Sequence, residues 1–182
     1  MPRIPPWAFP AFDLSFKIPG LHCKKRETSS CVLKRLATAM MFEQYASHTP
    51  VFTDGSSTQA SSSCAFMVPT QSVTRAFRLS HKTSSTCAEL YAILFALRHI
   101  RESPSCAWVF YKKILVVPFL PSSLTFRKFI RRFYLRDMFS FFFFFQWIPG
   151  HAGISCNEAA SGPGSCGRAQ PLIRSSRYLL KG

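Results

Sequence analysis

A chain of 182 residues with 47% hydrophobic and 17% charged residues is long enough for one domain of ordinary size and too apolar to be globally disordered. Its formal net charge of +15 suggests a polyanionic partner such as nucleic acid. The excess is uneven: +4 over 1–50, only +2 over 51–108, +6 over 109–146 and +3 over 147–182. Seven scattered cysteines with no C-x-x-C pair exclude a zinc knuckle or a thioredoxin-like motif, and they read as reduced thiols of a cytosolic or nuclear protein. Met1-Pro-Arg-Ile-Pro-Pro lacks the apolar core of a signal peptide, and Met138–Phe145 is far shorter than a bilayer span. An intracellular chain without a membrane anchor is therefore expected.

Residues 1–20 hold five prolines among aromatics and read as an extended linker. Leu36, Met40 and Met41 recur at helical spacing and predict a short helix from Val32 to Tyr45. Val51-Phe52-Thr53-Asp54 predicts a strand stopped by the turn-forming Gly55-Ser56-Ser57. Cys64 to Val68 and Thr74 to Leu79 predict two more strands, and the short loops between the three predict an antiparallel meander. Leu90, Ile93, Leu94, Leu97 and Ile100 line one face of an amphipathic helix. Thr86-Cys87-Ala88-Glu89 fits a capping box at its start, and Pro104 lies just past its end. Cys106 to Tyr111 predicts a further strand. The order β-β-β-α-β implies a mixed sheet with helices packed on it.

After Tyr111 the pattern breaks. Ile114 to Leu120 is apolar around Pro118, 124–136 alternates Phe with Arg and Lys, and Phe141 to Phe145 is an uninterrupted run. Three readings stand: a basic arm using Arg127, Lys128, Arg131, Arg132 and Arg136, a surface helix with an aromatic face, or translated intron and decayed sequence. The last is favoured, because a Ser/Phe tract ending in Gln is what a pyrimidine-rich 3′ intron border encodes. A five-Phe run left uncovered by the sheet predicts aggregation. An organised signal returns at Gln146-Trp147-Ile148-Pro149-Gly150-His151 and leads into Asn157-Glu158-Ala159-Ala160, a helix start. Residues 161–182 are rich in Gly, Ser and Arg and read as a disordered tail.

Singly, the chemically interesting residues have plain structural readings. Asp54 before Gly55 suits a turn, Glu89 suits the capping box, and His151 suits an exposed loop. Their order is more specific. Thr53-Asp54-Gly55-Ser56, then Thr86-Cys87-Ala88-Glu89-Leu90-Tyr91-Ala92-Ile93, then Trp147-Ile148-Pro149-Gly150-His151-Ala152-Gly153-Ile154 with Asn157-Glu158-Ala159-Ala160, resembles the type 1 ribonuclease H family in the version carried by non-LTR retrotransposons. The resemblance covers 51–108 and 146–160, and 14–48 is similar to the tether that precedes the domain in such elements.

The resemblance implies an α/β fold of the ribonuclease H kind, a mixed five-stranded sheet flanked by helices, here incomplete or interrupted. It implies a tether over 1–47 and a domain over 48–160 interrupted at 109–145. The implied activity is metal-dependent endonucleolytic hydrolysis of the RNA strand of an RNA–DNA hybrid. Such chemistry gathers carboxylates because Mg²⁺ and Mn²⁺ prefer oxygen ligands, and two ions clamp the attacking and leaving oxygens. By the same resemblance Asp54 and Glu89 are catalytic metal ligands and His151 a proton-transfer helper. The resemblance also implies that Gly55, Ser56 and Thr86 contact nucleic acid, that the partner is the hybrid or another nucleic acid, and that the reverse transcriptase of a parent element is a further possible partner.

Two of the four family carboxylates are missing. Where the third belongs the chain reads Val109-Phe110-Tyr111-Lys112-Lys113, with no acid before Asp137, and the fourth position is Ser161. Ammonium groups at Lys112 and Lys113 repel a divalent cation. Glu158, three residues before Ser161, is the one substitute on the same helical face. Losing one electrostatic catalytic element costs about 10²–10³ in rate. The expectation is an impaired ribonuclease, with a non-catalytic nucleic-acid binder or the product of a decayed retroelement as alternatives.

Overall fold

The computed structural model describes residues 13–103, 107–112, 142–161 and 170–171. The Pro-rich start, the basic stretch from Arg127 to Arg136, Lys113, Asp137 and most of the C-terminal tail lie outside the described residues. The chain divides into two compact units, Met1–Pro50 with Pro104–Ala152 and Val51–Ser103 with Gly153–Gly182. Parallel and antiparallel strand pairings both occur, with helices beside them, so the expected mixed α/β architecture is the observed one. Strands β2 to β5 correspond to the four predicted from the pattern, β6 is not among them and brings the number to the five that the resemblance implies, and the short β1 and β7 are additional.

In the second unit, β2 (Thr49–Ser57), β3 (Ser62–Val68) and β4 (Val73–Arg78) form the predicted antiparallel meander. Short β7 (Gln170–Pro171) pairs with β4 in parallel. β2 does not stop at Asp54. It stays in register through Gly55↔Cys64, Ser56↔Ser63 and Ser57↔Ser62. The serines support this extension side by side, with Ser56 and Ser63 hydroxyls 2.8 Å apart and those of Ser57 and Ser62 3.0 Å apart. Helix α2 (Ser85–Ile100) packs on β3 and buries Ile93, Leu94, Leu97 and Ile100 as the periodicity requires. Ala88, Ala92 and Ala96 are also fully buried, small side chains that let the helix approach closely. Phe95 stacks on Phe77 at 4.4 Å between ring centres.

The first unit is built on three parallel strands in the order β1-β6-β5, namely β1 (Asp13–Ser15), β6 (Phe142–Trp147) and β5 (Ala107–Lys112). Helix α1 (Ser30–Gln44) matches the predicted helix within two residues and is capped by Ser29, whose hydroxyl accepts from Val32 N–H at 3.4 Å. The ends of the irregular segment are thus strands, with Val109 facing Phe144 and Phe110 facing Phe145 across the ladder. Phe145 is 4% exposed and stacks on Phe110 at 5.0 Å. Phe144 sits edge-on to His48 at 4.8 Å. Phe145 is thus buried and Phe144 half-buried, so at these two positions the run is at least partly covered by its neighbours. No helix among the described residues is long and apolar enough to cross a membrane.

Gln146, the residue that ends the Phe run, is 1% exposed and uses its whole amide. Its Oε1 accepts from Tyr45 O–H at 2.9 Å, and its Nε2 donates to the carbonyls of Lys17 (3.1 Å) and Trp147 (2.9 Å). A buried amide satisfied in this way contributes where an unsatisfied one would cost about 1–3 kcal/mol. It ties the C-terminal end of α1 and the residues after β1 to β6.

Candidate active site

Asp54 lies within β2, half-buried, opposite Ala65 on β3. The next residue, Gly55, makes the close approach that shapes the site. A Cβ placed there would overlap the backbone nitrogen of Glu89 and the carbonyl carbon of Ala88, and would lie 2.7 Å from Glu89 Cα. Backbone cannot move aside as a flexible side chain can, so glycine is required for α2 to rest on β2 at this point. The sequence Asp54-Gly55 is therefore a seat for the first turns of α2, and it sets the backbone of Glu89 against the residue next to Asp54.

The start of α2 corrects the sequence reading. Ser84 is the N-cap, its hydroxyl accepting from Cys87 N–H at 3.2 Å, and Thr86 is an exposed residue inside the first turn. Glu89 then falls at the fifth helical position and has no capping-box role, because a capping box needs its acid at the third. Its carboxylate is instead buried, at 1% exposure. The loop before the helix is clipped to the sheet: Thr83 C=O accepts from Ser57 Oγ (2.6 Å) and Ser62 Oγ (3.0 Å), and Thr83 N–H donates to Ser62 Oγ (2.9 Å).

Cys64, cross-strand partner of Gly55, was not singled out by the sequence. Burial first, and the negative charge of Glu89 second, push its thiol from 9.0 up to about 12. A thiol so strongly protonated is no nucleophile. Cys64 and Glu89 are both buried, at 2% and 1% exposure. Thr53 is fully buried beside Asp54, and its hydroxyl has no hydrogen-bond partner among the described residues. The period-2 alternation of β3 was the signal for Cys64, which lies on the same face as Phe66 and Val68. Nothing in the alternation marks it as special.

Of the proposed nucleic-acid contacts, Ser56 and Thr86 are exposed and Gly55 is half-buried. Ser56 already shares its hydroxyl with Ser63. Helix α3 (Ser155–Ser161) packs on β3 and carries Glu158 in its first turn, where an acid interacts favourably with the helix dipole. Ser161 is its last residue.

His151 and Lys112 belong to the other unit. His151 is exposed and sits in a turn with a left-handed φ of 57°. Ile148 N–H donates to Lys112 C=O at 2.9 Å, which carries the β5–β6 pairing up to that turn. Lys112 closes β5 and is 2% exposed. Burial pushes the neighbouring Tyr111 phenol up beyond its ordinary range, with Tyr45 adding to the effect.

Among the described residues there is no group of three or more His, Cys, Asp or Glu able to hold a metal ion. Asp54 and Glu89 are two carboxylates of one unit. The strand on which a third is expected ends in a buried lysine, and the fourth position is a serine. Two divalent cations need more negative charge than this set supplies, so the described residues do not fit the implied two-metal centre.

No protein-family model matches the chain, and no curated protein matches it. Among solved structures, it is similar to ribonuclease H1 from the halophilic archaeon Halobacterium salinarum NRC-1, at 13% identity and a TM-score of 0.48, over 63% of this chain and 92% of that one. It is also similar to LC11 ribonuclease H1 in complex with an RNA/DNA hybrid, at 12% identity and a TM-score of 0.46, over 62% of this chain and 90% of that one.

Proposed function

We propose that the chain is a degenerate ribonuclease H domain of a retrotransposon-like element, whose activity class is hydrolysis of the RNA strand of an RNA–DNA hybrid and whose own rate is strongly impaired. The observation that carries the reading is the Gly55 seat. Thr-Asp-Gly-Ser on a strand and Ala-Glu on the following helix are the first two motifs of the family, and here the glycine brings the two backbones into contact. A turn aspartate and a capping glutamate, the plain alternatives, have no need of that contact. Glu89 also lies outside the cap, in the interior.

The impairment follows from the ligand set. With Lys112 and Ser161 at or beside the positions of the missing acids, the loss is at least about 10²-fold relative to an intact site. The two losses act on one unit and need not multiply. Asp54 and Glu89 remain the carboxylates of the site, His151 is assigned the proton-transfer role by resemblance alone, and Mg²⁺ or Mn²⁺ is the implied ion. The test is cleavage of a labelled RNA–DNA hybrid with either ion by the purified chain beside Asp54→Asn. Slow cutting that vanishes in the variant supports the reading. Cutting that persists in Asp54→Asn contradicts it, and complete inactivity of folded protein favours a non-catalytic nucleic-acid binder.

A further inference from the structure

A strongly basic surface lies outside the carboxylate site. Between Lys17 and Arg35 the chain carries six cations, Lys17, Lys24, Lys25, Arg26, Lys34 and Arg35, against one acid, Glu27. All six are exposed. Glu27 is already paired with Arg26, at 3.4 Å from Nε to Oε1.

The centre of this stretch is held in a fixed shape. Lys25–Glu27 form a 3₁₀ turn in which Glu27 N–H donates to Lys24 C=O (2.9 Å) and Thr28 N–H to Lys25 C=O (3.3 Å). Thr28 Oγ1 donates to the same Lys24 carbonyl at 3.2 Å. The turn buries no residue, so core packing does not account for it. Its flanks are anchored by the buried Ile18 and Leu33. Among the described residues, Lys24, Lys25 and Arg26 border an open concavity of about 570 Å³.

We propose that this turn is a docking surface for the phosphate backbone of nucleic acid, with Lys24, Lys25 and Arg26 as the contacting cations. A row of phosphates matches several exposed cations held by one rigid turn with a single, already paired acid. Holding the cations in place lowers the ordering cost of engaging them. The surface rests on the nucleic-acid part of the function proposed above and not on its hydrolytic part.

The test is equilibrium binding of a labelled RNA–DNA hybrid by the full chain in a chelator, followed over a range of salt concentrations. The triple variant Lys24→Gln/Lys25→Gln/Arg26→Gln is compared with Arg75→Gln/Arg78→Gln/Lys82→Gln, which removes the same charge from exposed positions of the other unit. Each lost phosphate contact lowers the slope of log affinity against log salt by about one. The first triple is expected to lower the slope by about 2 to 3 and to weaken binding about tenfold or more at low salt. The control is expected to change both far less, and Lys24→Arg/Lys25→Arg/Arg26→Lys to retain the slope. Equal effects of the two triples, or no effect of the first, would overturn the proposal while leaving the hydrolytic reading to its own assay. Binding by the wild type to phosphatidylserine vesicles but not to the hybrid would overturn the surface and the nucleic-acid reading together.

Discussion

The two units bury opposite charges. The meander unit takes a glutamate into its interior, Glu89, on a helix seated against the glycine that follows Asp54. The unit built on β5 and β6 buries Lys112 at the end of β5. Among the described residues both units hold stacked rings and a hydrogen-bonded side-chain amide, Phe77 on Phe95 and Gln71 in one and Phe110 on Phe145 and Gln146 in the other, so the contrast lies in the buried ionisable side chain.

Substitutions can break or sharpen this contrast. The largest effect is expected at Phe145→Ala. Removing a buried ring that stacks on Phe110 costs about 3–5 kcal/mol, read as a lower denaturation midpoint. A change within about 0.5 kcal/mol would mean that Phe145 is not packed against Phe110. Next comes Gly55→Ala, where the added methyl overlaps the α2 backbone. Overpacking of this kind costs about 1–3 kcal/mol, and a neutral result would remove the seat on which the site reading stands. Ser84→Ala should lose about 1 kcal/mol of helix capping while Thr86→Ala stays within about 0.5 kcal/mol, and the reverse order would restore Glu89 to the capping box.

At neutral pH the smallest effect concerns Cys64, whose contribution changes only above the ordinary thiol range. Its raised thiol pKa contributes stability that is complete below the ordinary thiol value of 9.0 and is lost as pH rises toward about 12, because only the unfolded thiol ionises in that window. Under mildly alkaline conditions an alkylating agent should modify the exposed Cys23, Cys31 and Cys87 and spare Cys64 until the chain unfolds. Early modification of Cys64 would show that the Glu89 region is open to solvent.

Much of the architecture was legible before the structure. The meander follows from short strands and short loops, and α2 from apolar residues at helical spacing. Three features were not legible, each for a physical reason. A run of identical Phe has no alternation, so neither strand period nor helix period can be read from it, and β6 was hidden there. Ser84, Ser85 and Thr86 are all competent caps in a row, so local chemistry could not choose among them. Asp54-Gly55-Ser56 has the composition of a turn, and only pairing with Ser62 to Cys64 keeps β2 extended through it. Asp54 and Glu89 could be singled out as motif residues, but the contact that joins their segments belongs to the third dimension. The basic turn at Lys24 to Arg26 was visible only as part of a net charge, since its rigidity comes from backbone hydrogen bonds.

The central proposal is that an incomplete carboxylate set, and not a failed fold, limits this protein. Calorimetric titration of the folded chain with Mn²⁺, beside Asp54→Asn and Glu89→Gln, reads that set directly. The account predicts at most one weak binding event, which disappears in both variants. Two saturating sites, or metal binding unaffected by either substitution, would contradict it.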